Sequence, residues 1–126
     1  MGLSFLKIAV VYLVIGAVLG FAMGISQKFV LVPVHAHVLL LGWASLALAG
    51  LVYHFYPAAS TTRLARFHFW LHNIGLPLFM VGLGFLLTGN ESAFLAVLVG
   101  ATAVIVGLVL FAANVLLNVK SPSPAA

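Results

Sequence analysis

Apolar residues fill four long stretches of this chain, and the polar residues gather in the gaps between them. The first run extends from about Ser4 to Ser26 and is broken by Gln27, Lys28 and Pro33. The second extends from about Val34 to Tyr56 and stops at Pro57, which cannot continue a helix. The segment A-A-S-T-T-R-L-A-R forms a second loop, with Ser60 or Thr61 as the expected cap of the next helix. The third run covers about Leu64 to Leu87, with a bend expected at Pro77, and Thr88-Gly89-Asn90 makes a tight third loop. The fourth covers about Ser92 to Val119. Residues 120–126, K-S-P-S-P-A-A, read as a disordered tail.

Composition turns four apolar runs into four membrane spans. Only 5% of the 126 residues are charged, against about 25% in a soluble domain, so the chain cannot cover a water-facing surface. A spanning helix needs roughly 20 apolar residues, and each run is long enough. The expected fold is an all-α integral membrane protein, one four-helix transmembrane domain over residues 1–119. The first run has a signal-peptide flavour, but it is too long and lacks a small-x-small cleavage site, so it reads as a retained helix.

Charge then sets orientation. The net charge of +4 is too sparse for a nucleic-acid partner and reads as topology. Lys7, Arg63, Arg66 and Lys120 fall on one side, and Lys28 and Glu91 on the other. The positive-inside rule makes the first group cytoplasmic, with both termini inside. There is no cysteine, which removes disulfides and thiolate metal sites. On the first helix Gly16, Gly20 and Gly24 recur every four residues, a spacing that lets helices approach closely, expected here inside the bundle, with a contact between subunits as the alternative.

The chemistry concentrates in V-P-V-H-A-H-V-L-L-L-G-W, residues 32–43. Polar side chains within spanning segments are usually functional. His35 and His37 are two residues apart, about 200° around a helix, so they point in nearly opposite directions and serve two sites rather than one small ion. Histidine is the usual axial ligand of a b-type haem. The expected cofactor is therefore haem b, with His35 and His37 as candidate iron ligands. Counting residues from the inner end puts His37 and His72 about 20 Å apart in depth, so they are not expected to share an iron. Met23 is the in-chain alternative as a second ligand. Otherwise the second histidine comes from another copy of the chain.

Two segments carry a family resemblance. H-A-H-V-L-L-L-G-W-A-S-L-A-L-A-G-L-V-Y-H-F-Y-P, residues 35–57, resembles the tenth helix of heme-copper oxidase subunit I, and R-L-A-R-F-H-F-W-L-H-N-I-G-L-P-L-F, residues 63–79, resembles the start of the eleventh. Short four-helix proteins of this type are grouped with the cbb3-type branch. The resemblance implies that His35 and His37 each bind a separate haem. It also implies that the chain corresponds to one of three four-helix arcs, so that three copies close into a ring in a bacterial inner membrane. In that ring His35 of one chain and His37 of its neighbour hold a haem between them, while a dimer sharing one haem is the simpler rival. The departures are as informative: no histidine stands in the third loop or fourth helix to build a copper site, and the copper-linked tyrosine has no counterpart. A complete oxidase is not expected, nor is an acidic or polar proton path, since the only carboxylate, Glu91, sits in a loop.

The expected function is electron transfer, or sensing of redox state or a diatomic gas, with no donor or acceptor named by the sequence. Two other readings stand beside it. One is a non-haem membrane protein binding copper or zinc through His68 and His72, four apart, with His54 as third ligand. The other is a cofactor-free accessory subunit of a respiratory oxidase. His68 and His72 are otherwise expected at the cytoplasmic interface beside Arg63 and Arg66. Asn73, Asn114 and Asn118 are candidates for bonds between helices.

Overall fold

A computed structural model describes residues 1–120; the tail from Ser121 onward lies outside the described residues. Four helices are long and apolar enough to cross a membrane: Gly2–Ser26, Val32–Phe55, Arg63–Leu87 and Glu91–Asn118. They are called here the first to fourth spans. At 1.5 Å per residue each reaches roughly 36–42 Å, more than the ~30 Å hydrocarbon core.

Local chemistry explains the ends. The first span closes on Gln27 in the left-handed conformation (φ 55°), with its side-chain Nε2 donating to the Gly24 carbonyl. The second starts two residues earlier than its apolar pattern suggests, because Pro33 fits the first helical turn rather than the loop. It ends at Phe55, and a short helix, Pro57–Ser60, follows. The cap of the third span is Thr62, whose hydroxyl accepts from the Ala65 N–H at 3.1 Å, not Ser60 or Thr61. The third loop turns on Gly89, whose φ of +100° suits a residue without Cβ. The fourth span begins with a 3₁₀ turn, Glu91–Ala93.

The four spans form two hairpins. In the third–fourth hairpin small residues set the approach: a Cβ on Gly75 would lie 2.9 Å from the Gly100 carbonyl and 2.8 Å from Ala103 Cβ. The first span packs on the second through Gly42, where a Cβ would meet Tyr12. Two apolar clusters join the hairpins. One, around Phe5, Ala9, Leu46, Ala49, Tyr53 and Ala65, lies toward the end where the first span begins. The other gathers Val34, Val38, Leu76, Met80 and Val104 toward the opposite end.

The second span holds a feature the apolar pattern does not announce. Residues Val38–Ala44 wind as π-helix between two α-helical stretches. The Ser45 N–H reaches back five residues to the Leu40 carbonyl, and the Ser45 hydroxyl donates to the same oxygen at 2.8 Å. Wider turns of this kind depart from the usual ladder, and within a bilayer neighbouring side chains must satisfy the exposed backbone.

Candidate functional site

His35 and His37 occupy the first turns of the second span, just before the π segment. Both are half-buried. The His35 ring turns to the first span: its Nδ1 lies 2.8 Å from the Gly16 carbonyl. Gly20 makes room for it, since a Cβ there would lie 2.6 Å from His35 Cε1. The His37 ring turns to the third span and meets the Phe79 ring edge-on at a centroid distance of 5.2 Å. Its Nδ1 lies 2.7 Å from the carbonyl of Pro33, one turn earlier. The two rings thus leave the helix on opposite flanks, as two-residue spacing requires.

These hydrogen bonds fix the chemistry of both rings. A carbonyl oxygen only accepts, so Nδ1 carries the hydrogen in each ring. In a neutral imidazole the lone pair then rests on Nε2. Neither Nε2 has a hydrogen-bond partner, and neither is among the sealed unpartnered atoms of the interior. A backbone acceptor that orients the ring and raises the donor strength of the far nitrogen is the usual second partner of a metal-bound histidine. The donor set therefore fits an iron held through Nε2.

Between the two flanks runs an apolar groove of about 480 Å³, bounded by Tyr12, Ile15 and Leu19 of the first span, Val34 and Val38 of the second, and Pro77 and Met80 of the third. Val34 and Val38 stand on the helix face that separates the directions of His35 and His37. Met23, the in-chain alternative ligand, is buried at 6% exposure. Gly24 has nothing within 4 Å of its would-be Cβ, whereas Gly16 and Gly20 pack against Leu39 and His35, so two of the three spaced glycines serve contacts inside the bundle.

The remaining histidines do not sit where the sequence suggests. His68 and His72 are not interfacial: they are 1% and 0% exposed, inside the bundle. The His68 ring is flanked by Phe5 and Phe111, each with its ring centroid 5.0 Å away. Its Nδ1 is 3.1 Å from the Tyr53 hydroxyl. The His72 ring sits 5.5 Å from that of His68, and its Nε2 donates to the Leu41 carbonyl, inside the π segment, at 2.9 Å. His72 is therefore level with a residue one turn from His37, and the 20 Å difference in depth is too large. The residue count took the facing ends of the two spans as level, whereas the short helix Pro57–Ser60 lies between them.

The interior is also more polar than the lack of carboxylates implies. Asn114 is 0% exposed and ties three segments together. Its Nδ2 donates to the Ala59 carbonyl at 2.9 Å and to the Tyr53 hydroxyl at 3.4 Å, and its Oδ1 lies 3.0 Å from Thr62 Oγ1. Asn118 Nδ2 donates to the same Oδ1 at 2.8 Å. Asn118, Asn114, Tyr53 and His68 are thus linked by hydrogen bonds inside the bundle, and the His72 ring stands next to that of His68. Of the three asparagines expected to bond between helices only Asn114 does so: Asn118 donates to Asn114 of its own helix, and Asn73 to Phe69 of its own. His54 is exposed and does not join His68 and His72. Among the described residues no three His, Asp or Glu side chains gather as a metal-binding group.

Comparison of the chain with protein-family models, with curated proteins and with solved structures finds no match.

Proposed function

We propose that the protein is a haem b-binding membrane protein in which His35 of one copy and His37 of a neighbouring copy hold one haem iron between them. The observation that carries this reading is the matched state of the two rings. Each donates Nδ1–H to a backbone carbonyl, at 2.8 and 2.7 Å, and each leaves Nε2 free. The similarity of residues 35–57 and 63–79 to heme-copper oxidase subunit I supports it and favours a ring of three chains over a dimer. Opposed directions of the rings argue against both binding one iron within a chain.

A haem held by two histidines would supply one-electron chemistry. The chain's own part is to bind and tune. The Gly16 and Pro33 carbonyls hold the two imidazoles in the ligating tautomer, Gly20 admits the His35 ring, and apolar side chains such as Val34, Val38 and Phe79 keep water away. Electron transfer is the activity this set serves directly. Sensing of a diatomic gas would require one histidine to leave the iron.

The test is the visible spectrum of the detergent-purified protein, oxidised and reduced, with haem quantified per chain and repeated for His35→Ala and His37→Ala. A sharp reduced α-band at one haem per chain, lost in either variant, is the result expected of the ring. One haem per two chains would replace the ring by the dimer. A colourless wild type from haem-replete cells would overturn the reading.

A further inference from the structure

The buried polar line has one break. Among the described residues three buried side-chain atoms lack any hydrogen-bond partner: His68 Nε2, His72 Nδ1 and Asn73 Oδ1. The first two belong to rings one helical turn apart, with centroids 5.5 Å from each other, on side chains 1% and 0% exposed. Buried polar atoms rarely go without a partner, and two side by side in one place need an explanation.

The hydrogens can be assigned from the ends inward. At one end the Ala59 carbonyl accepts from Asn114, which fixes Nδ2 as the amide's donor side. Nδ2 also donates to the Tyr53 oxygen. The tyrosine's own hydrogen then goes to its other neighbour, His68 Nδ1. His68 Nδ1 is thereby an acceptor, and in the neutral ring Nε2 carries the hydrogen. At the other end the Leu41 carbonyl accepts from His72 Nε2, so His72 Nδ1 bears a lone pair. The two orphans are complementary: His68 offers an N–H and His72 offers an acceptor.

We propose that His68 Nε2 and His72 Nδ1 form a binding site for one buried water molecule. The ligand class follows from the assignment: a small molecule that accepts one hydrogen bond and donates another. Two bonds of about 2.8 Å let a single water bridge nitrogens up to roughly 5.5 Å apart, and two polar partners meet the minimum that holds a water inside a protein. A metal cation does not suit the site, because one of the two nitrogens carries a hydrogen. With the water in place, every donor in the line points the same way, from Asn118 through Asn114, Tyr53, His68 and the water to His72 and Leu41. The fixed carbonyls of Ala59 and Leu41 prevent the line from reversing. This site is independent of the haem reading, since neither ring is a proposed iron ligand.

The experiment is nitrogen NMR of the full chain labelled with ¹⁵N-histidine in lipid nanodiscs, with His68→Phe and His72→Phe used to assign the two rings. Both rings are expected as the Nε2–H tautomer. The bare Nδ1 of His72 should show the shift of a hydrogen-bonded nitrogen, and the His68 Nε2–H should show magnetisation transfer from water. In Tyr53→Phe, which keeps the ring and the packing, His68 should lose its single tautomer and become a mixture. An Nδ1–H tautomer at His68, or a His72 Nδ1 with the shift of an unbonded nitrogen, would overturn the proposal. So would stoichiometric binding of added copper(I) or zinc that is lost in His68→Phe and in His72→Phe.

Discussion

Gly20→Ala puts one methyl group against the ring that is expected to hold haem. The added Cβ would lie 2.6 Å from His35 Cε1, 3.1 Å from Nδ1 and 3.3 Å from Nε2. Carbon atoms pack at about 3.5–4.0 Å, so the ring must withdraw by roughly 1 Å. The His35 Nδ1–Gly16 bond starts at 2.8 Å, and a shift of that size carries it past the ~3.2 Å upper end of good geometry. The loss is then one hydrogen bond, about 1 kcal/mol, together with overpacking of about 1–3 kcal/mol. The control is on the same stripe: Gly24 has nothing within 4 Å of its would-be Cβ. Haem per chain and resistance to detergent unfolding are measured for both variants. Gly20→Ala is expected to bind less haem and to unfold more readily, while Gly24→Ala matches wild type within about 0.5 kcal/mol, the usual range for a substitution that meets nothing. Equal behaviour of the two variants would refute the reasoning, because it would mean that the His35 ring does not depend on the space Gly20 leaves.

Three further outcomes follow from the same packing. Asn114→Leu removes bonds to Ala59, Tyr53, Thr62 and Asn118; at about 0.6 kcal/mol each in membrane proteins, the loss is roughly 2 kcal/mol, readable as reduced unfolding resistance in mild detergent with the haem spectrum unshifted. Gly75→Val drives side-chain atoms into the Gly100 carbonyl and Ala103, so the third–fourth hairpin should separate and stability should fall by more than Asn114→Leu costs, checked by protease accessibility of the third loop. His54→Ala alters an exposed side chain without a hydrogen bond to another segment, and both haem content and unfolding should stay at wild-type values.

The helices were legible because their cause is written into consecutive residues. Long apolar runs, Pro57 at the end of one and Gly89 in a turn identify four spans to within a few residues. The opposed directions of His35 and His37 also follow from spacing alone. Hidden from the sequence was whatever depends on the neighbour a side chain meets. A histidine four residues from another and next to arginines looks interfacial, yet Phe5, Tyr53 and Phe111 from three other spans enclose His68. The π segment left no apolar-pattern signal, because a widened turn keeps the same residues apolar, and it is the Leu41 carbonyl there that captures His72. Thr62 rather than its two hydroxyl-bearing neighbours is the cap because it is the extended residue directly before the third span, where its hydroxyl accepts from the Ala65 N–H. One signal was available: a tyrosine, two histidines and an asparagine inside apolar spans have only one another and backbone carbonyls to bond, and those are the partners the structure gives them.

The central claim is that one haem is shared across two chains, with His35 from one and His37 from the other. Co-expression of His35→Ala chains with His37→Ala chains, carrying different tags and purified through both in sequence, tests it most directly. Each chain alone lacks one ligand of every shared site, but a mixed oligomer has an interface where the intact His37 of the first chain meets the intact His35 of the second. The account predicts that each variant alone is colourless and that the doubly purified mixture regains a reduced α-band at a fraction of a haem per chain. A mixture that assembles yet stays colourless would contradict it, as would a full haem complement in either variant by itself.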